Sequence, residues 1–150
     1  MDKNQKTTFL LTGTYSSFNK GDAAMQIATA TTLRERWPSA NVIISAPFPE
    51  YDQELYKDFE IIQSNRRRLI YSTISLLAAA MYDMLGKLGI HASFLIWNEE
   101  MRTIKNADIV IDLSGDTITE DYGPHVTYSH LLPILIAQFL ETPTYICAQS

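Results

Sequence analysis

Three polar, glycine-bearing stretches hold the side chains of this sequence that could do chemistry. The first, Gly13-Thr14-Tyr15-Ser16-Ser17-Phe18-Asn19-Lys20-Gly21-Asp22, separates an apolar run from an Ala-rich one. Backbone amides at such a turn, with the positive end of a following helix, can hold an anion. The spacing is neither G-x-G-x-x-G nor a Walker loop, and Asp22 at the helix start repels phosphate, so a dinucleotide or ATP site is not supported. Asn19 and Asp22 suit the hydroxyls of a polyol or sugar. The plainer reading is a capped turn, with Gly21 at positive φ, Asn19 bonding the loop and Asp22 as the helix cap.

The second stretch is Ser114-Gly115-Asp116. Gly115 admits another group close to the backbone, and Asp116 is an acceptor for hydroxyls or a general base; the alternative is an ordinary turn. Asp121-Tyr122-Gly123-Pro124-His125 continues the same loop with acid, base and sugar-stacking groups, although Gly-Pro alone explains a plain loop. His125 and His130 are five apart, His91 is remote and Cys147 is the single cysteine. That pattern has no metal-ligand spacing and permits no internal disulfide, so no metal site is expected. His130 is read as starting a helix, with contact to a ligand as the less favoured alternative, and Cys147 as an inert thiol buried in a strand. No Ser/His/Asp arrangement follows from spacing, and no catalytic acid or base is assigned.

The elements that must position these groups are readable from periodicity. Thr7–Thr12 is a first strand, and a helix capped by Asp22 runs to about Arg36, stopped by Pro38. Asn41–Ser45 is a second strand, followed by a short helix at Asp52–Lys57 and a weak strand at Phe59–Ile62. Ile70, Ile74, Leu77, Met81, Met84 and Leu88 step by four and three, and so line one face of a long helix ending near Gly89. Phe94, Trp97, Met101 and Ile104 repeat the helical step in another short helix. Ala107–Leu113 reads as a strand buried on both faces. A helix lies within Thr127–Leu140, with Pro133 in its first turn or kinking it. Thr144–Ala148 is a final strand. Helices alternating with apolar strands define a single α/β domain: a Rossmann-like open, mostly parallel sheet with helices on both faces. In such a sheet ligands collect at the carboxyl ends of the strands, where Gly13–Gly21, Ser114–His125 and Gln149-Ser150 would lie.

With 150 residues, 46% of them hydrophobic, the chain can bury a core and is not disordered. A net charge of −5 argues against nucleic acid as a partner. The first apolar run is one strand long, too short for a signal peptide, which makes cytoplasmic residence the expectation. Arg66-Arg67-Arg68 precedes Leu69–Tyr82, a stretch without charge that is too short to span a bilayer. Two readings stand: a core helix with solvated arginines, which is preferred, or a helix lying at a membrane surface with the arginines on anionic lipid.

The order of motifs carries more than any one of them. Asn19-Lys20-Gly21-Asp22-Ala23-Ala24 follows the first strand, Ala107-Asp108-Ile109-Val110-Ile111-Asp112-Leu113-Ser114-Gly115-Asp116 comes in mid-chain, Tyr122-Gly123 follows, and Tyr145-Ile146-Cys147-Ala148-Gln149-Ser150 closes the chain. This order resembles the amino-terminal part of the polysaccharide pyruvyl transferase family, with an N-x-G-D-x-A turn, an A-D-x-(apolar)-G-(G/D) strand end and a strand ending in A-Q-S. Ser114-Gly115 stands where that family often has two glycines.

The resemblance implies one half of a two-domain, glycosyltransferase-B-like enzyme whose carboxyl-terminal domain, with most of the basic residues for phosphoenolpyruvate, is absent from this chain. It implies transfer of pyruvate from phosphoenolpyruvate to two sugar hydroxyls as a cyclic ketal, in cell-surface polysaccharide synthesis. Phosphoenolpyruvate is then a co-substrate, with no other cofactor, and the fragment alone is expected to be inactive. The implied partner is a saccharide acceptor, carried by a lipid in one version; the alternative reading of the arginine run adds peripheral contact at the inner face of the membrane. By matching motif, Asn19, Gly21 and Asp22 line the cleft, Gly115, Asp116, Asp121 and Tyr122 meet the acceptor, and Gln149 and Ser150 close the floor. A nucleotide-sugar glycosyltransferase-like domain and a non-catalytic α/β binding domain are the competing readings.

Overall fold

β-Branched and aromatic residues alternate sides along the first strand, so Phe9 and Leu11 point to one face of the sheet and Leu10 to the other. All three are buried. A computed structural model describes residues 6–115 and 123–147. It contains β1 (Thr8–Thr12), α1 (Lys20–Arg36), β2 (Asn41–Ala46), α2 (Pro49–Leu55), β3 (Glu60–Gln63), α3 (Leu69–Lys87), α4 (Glu99–Asn106), β4 (Ile109–Asp112), α5 (Pro124–Phe139) and β5 (Thr144–Ile146). The strands form one sheet in the order β3-β2-β1-β4-β5, and every pairing is parallel. This is an open Rossmann-like α/β fold whose strand order reverses between β1 and β4, the place where such sheets open a crevice. Thr12 pairs with Asp112 and Asp112 with Ile146, so the segments that follow β1, β4 and β5 leave from one edge.

Two cores flank the sheet. Phe9, Leu11, Val42 and Ile44 pack with Ala30 and Leu33 of α1 and with Tyr56 beyond α2. Leu10, Ile43, Ile62 and Val110 pack on the other face with Ala79, Met101, Ile104, Ile136 and Ala137 from α3, α4 and α5. β4 is more exposed than a strand buried on both faces: Val110 and Asp112 are buried, while Ile109 and Ile111 are half-buried. Cys147, just past β5, is also half-buried rather than enclosed.

Local chemistry explains where elements begin. α1 is capped by Asn19, not Asp22: the Asn19 Oδ1 accepts from the amides of Gly21 and Asp22 at 2.9 and 3.4 Å. Gly21 therefore sits inside the first turn, and the positive φ belongs to Gly13, at 98°. Asn98 caps α4 through the Met101 amide, which separates Phe94 and Trp97 from the helix holding Met101 and Ile104. Phe94 and Trp97 consequently stand exposed. α5 starts earlier than the sequence suggests, with Pro124 in its first turn, and Pro133 lies buried in its middle. Pro133 has no N–H for the Ser129 carbonyl one turn back.

α3 reverses the expected packing. Its buried residues are Ser72, Ser75 and Ala79; Leu76 and Tyr82 pack partly against the core, while Ile70, Ile74, Leu77, Met81, Met84 and Leu88 face out. The small inward face lets α3 lie close against α5, and hydrogen bonds fix its rotation. Ser72 Oγ donates to the Asn65 carbonyl at 2.8 Å, and Asn98 Nδ2 donates to Ser75 Oγ at 2.7 Å. The preferred core-helix reading is thus overturned for the Ile70–Leu88 stripe.

Candidate functional site

The β1–α1 loop is built to a fixed shape. Asp22 Oδ2 accepts from the Tyr15 amide at 2.8 Å, and Asp52 Oδ1, from α2, accepts from the Ser17 amide at 2.9 Å. Gly13 is obligatory: a Cβ there would lie 2.5 Å from the Ser114 amide nitrogen and 2.7 Å from Asp112 Oδ2. The backbones following β1 and β4 therefore touch, and Tyr15 is carried to the rim. Burial first, then Asp52 and Asp22, push the Tyr56 hydroxyl up to about 12.

A second loop, between β3 and α3, meets this rim. Glu100 of α4 is buried and anchors the loop by accepting from Ser45 Oγ at 3.2 Å, Ser64 Oγ at 3.0 Å and the Asn65 amide at 3.0 Å. Arg66 follows and is itself buried, so the three arginines are not equally solvated. Its Nη2 lies 3.3 Å from His130 Nε2 on α5, and His130 Nδ1 lies 3.1 Å from Ser114 Oγ beyond β4. A guanidinium only donates, so Nε2 is the acceptor and Nδ1 carries the imidazole proton toward Ser114. Burial first, then the adjacent arginine, pushes His130 down to about 3, which keeps the ring neutral. Asp112 is fully buried, and its Oδ1 accepts from the Ser114 amide at 3.0 Å. Burial raises its pKa, while the Ser114 hydrogen bonds and Arg66 oppose the rise. Burial likewise lowers Arg66, opposed chiefly by Asp112 and Glu100.

Arg66 and His130 border a pocket of about 280 Å³, lined also by Tyr15, Pro47, Arg67, Val126 and Ser129. Arg67 is held there by stacking 3.9 Å from the Phe48 ring centroid. Among the described residues, His130 is the one side-chain partner given to the Arg66 guanidinium. A guanidinium has five N–H donors, so most remain for a guest. The pocket can accept an anion.

The sequence-based candidates fare unevenly. Asn19, Gly21 and Asp22 do come together, but Asn19 spends its oxygen on the cap and Asp22 an oxygen on the Tyr15 amide. Gly115 has φ +61°, and a Cβ there would sit 3.8 Å from Met25 Cε, which places it beside α1. Asp116, Asp121, Tyr122, Gln149 and Ser150 lie outside the described residues. Sequence reasoning does not group Arg66, Arg67, Tyr15 and Ser114, and for His130 it prefers a helix start over contact with a ligand; the structure places His130 inside α5. The available signal was a run of arginines directly after a strand, since the loop after β3 is another carboxyl-end loop.

An α/β domain with a basic pocket at the carboxyl ends of its parallel strands falls in the Rossmann-like class. The family model for polysaccharide pyruvyl transferase matches residues 19–150, and the chain belongs to that family. No curated protein and no solved structure matches it significantly.

Proposed function

We propose that this domain works in transferring pyruvate from phosphoenolpyruvate to two hydroxyls of a saccharide, and that its basic pocket holds the carboxylate or phosphate of the donor. The observation that carries this reading is a buried arginine with unspent donors, Arg66, beside exposed Arg67 in one pocket. In the reaction a proton goes to the enol methylene carbon and a sugar hydroxyl adds to the central carbon, losing its proton. Phosphate leaves, and a second hydroxyl adds and loses its proton to close the ketal. Donors fixed on the carboxylate and the departing phosphate stabilise the charge that builds there. His130 is an orienting group in this scheme: a neutral ring accepting from Arg66 cannot serve as the acid at neutral pH. Asp116 and Asp121 are assigned to the acceptor hydroxyls, with Asn19, Asp22, Gln149 and Ser150 around the cleft. A glycosyltransferase-B-like partner half, and work at the cytoplasmic side of a membrane on surface polysaccharide, complete the proposal.

Phosphate release from phosphoenolpyruvate, measured with the whole protein and a glycan acceptor, tests it. Arg67→Ala removes an exposed side chain and should leave the fold intact while lowering kcat/KM by about 100-fold. No phosphate release by the wild type, or unchanged kcat/KM in the variant, overturns the reading. Turnover of a nucleoside diphosphate sugar in place of phosphoenolpyruvate overturns it in favour of a glycosyltransferase-like activity.

A further inference from the structure

We infer that the outward face of α3 is a docking surface for a lipid bilayer bearing anionic headgroups, on which the helix lies flat. Ile70, Ile74, Leu77, Met81, Met84 and Leu88 are all exposed, at 79, 48, 61, 49, 55 and 69%. Their steps of four and three keep them on a single stripe, which at 1.5 Å per residue is about 27 Å long. Phe94, 77% exposed on the segment packed beside α3, and Ile90, 52% exposed, extend it. Single exposed apolar residues are ordinary, but a continuous stripe of this length marks an interface.

The stripe is not a core face awaiting collapse. The opposite face is committed through Ser72, Ser75 and Ala79, and turning the helix would break the Ser72–Asn65 and Asn98–Ser75 hydrogen bonds. By length and composition α3 could cross a membrane, yet its inner face is packed on α5, so the geometry is that of a helix in the interfacial plane.

Charge selects the occupant. No Asp, Glu, Lys or Arg occurs from Leu69 through Tyr82. Arg68 stands at one end and Lys87 at the other, both exposed. The one acid on α3, Asp83, is bound to Lys87 at 2.7 Å and lies off the stripe. A second copy fits poorly. An antiparallel two-fold pairing sets Arg68 against Lys87 of the other protomer, and a parallel one sets Arg68 against Arg68. An anionic surface meets cations at both ends. Tyr71 and Trp97, in tilted contact with ring centroids 4.7 Å apart and both exposed, supply the amphipathic aromatics that favour the headgroup boundary. The inference does not depend on what the pocket binds.

Flotation of the whole protein with phosphatidylcholine vesicles, with and without phosphatidylglycerol, tests it. The wild type should float with the anionic vesicles, and Leu77→Glu/Met81→Glu should lower the bound fraction about tenfold or more. In a Trp37→Phe background the Trp97 emission should shift to the blue on binding and stay unshifted in the double variant. Both substituted positions are exposed, and an unchanged melting temperature confirms that the variant folds. A wild type that stays in solution with both vesicle types overturns the inference. So does a dimer that the double variant converts to monomer while vesicle binding is unaltered.

Discussion

His130 is held neutral by burial and then by the adjacent Arg66, one ring nitrogen accepting from Arg66 and the other facing Ser114. With its pKa pushed down to about 3, the folded protein does not take up the proton that the unfolded chain binds below about 6.5. Between those values the unfolded state carries the extra proton, so stability falls as pH falls, by up to about 1.4 kcal/mol per unit. Above about pH 6.5 the residue contributes no slope. His130→Gln keeps an acceptor for Arg66 but cannot titrate. Melting temperature followed from pH 7.5 to 5 (roughly spanning the unfolded histidine range) should fall more steeply for the wild type than for the variant. Asp112, whose raised pKa acts in the opposite sense, is common to both proteins and cancels in the comparison. Parallel curves would show that His130 is not desolvated as described. At this scale the sequence names Asn19 and Asp22 correctly as a working pair but exchanges their duties. An Asn and an Asp three residues apart are both good caps, and which one reaches the amides depends on the turn that Gly13, not Gly21, makes possible.

Helical periodicity in α3 is unmistakable in the sequence, but periodicity gives a face and not its direction. Apolar residues on one side ordinarily mean that side is buried; here Ser72, Ser75 and Ala79 go in because α5 approaches too closely for larger groups. Two substitutions separate the faces. Ala79→Leu forces bulk into a buried position with no exposure and should destabilise by about 1–3 kcal/mol. Leu77→Ala on the outward face should stay within about 0.5 kcal/mol in a soluble thermal melt. The reverse ranking would mean that α3 is turned the other way. The short helix expected through Phe94 and Ile104 fails for a related reason: the apolar step continues across Asn98, whose cap begins a new helix. Of the two places open to Pro133, the first turn or the interior of the helix, the structure takes the interior, because Pro124 already occupies the start.

Across the whole molecule, alternation of strands and helices is enough to identify the parallel sheet and the edge from which the loops after its strands leave. What alternation could not reveal is which loops meet there. The β3–α3 loop enters the site because strand order sets β3 two places from β1, and because Glu100, from the far side of the crossover, ties β2 and that loop together. Glu100→Gln removes the charge that helps to balance Arg66 and weakens three hydrogen bonds at once. Loss of one member of a buried charge set costs about 3–5 kcal/mol. The melting temperature should therefore drop, and amide exchange should quicken first at residues 64–68. Uniform quickening over the whole sheet, with no lead in that loop, would show that Glu100 serves the core rather than the site.

The loop that Glu100 ties down ends where α3 begins. Arg66 and Ile70 are separated by four residues, a reach of at most about 14 Å even for fully extended chain. Whatever plane receives α3 thus fixes the height of the basic cavity above it. A saccharide tethered in that plane would present to the reactive carbon only the hydroxyls lying at that height, so the distance from anchor to sugar ring would itself act as a ruler for which unit of a chain is modified.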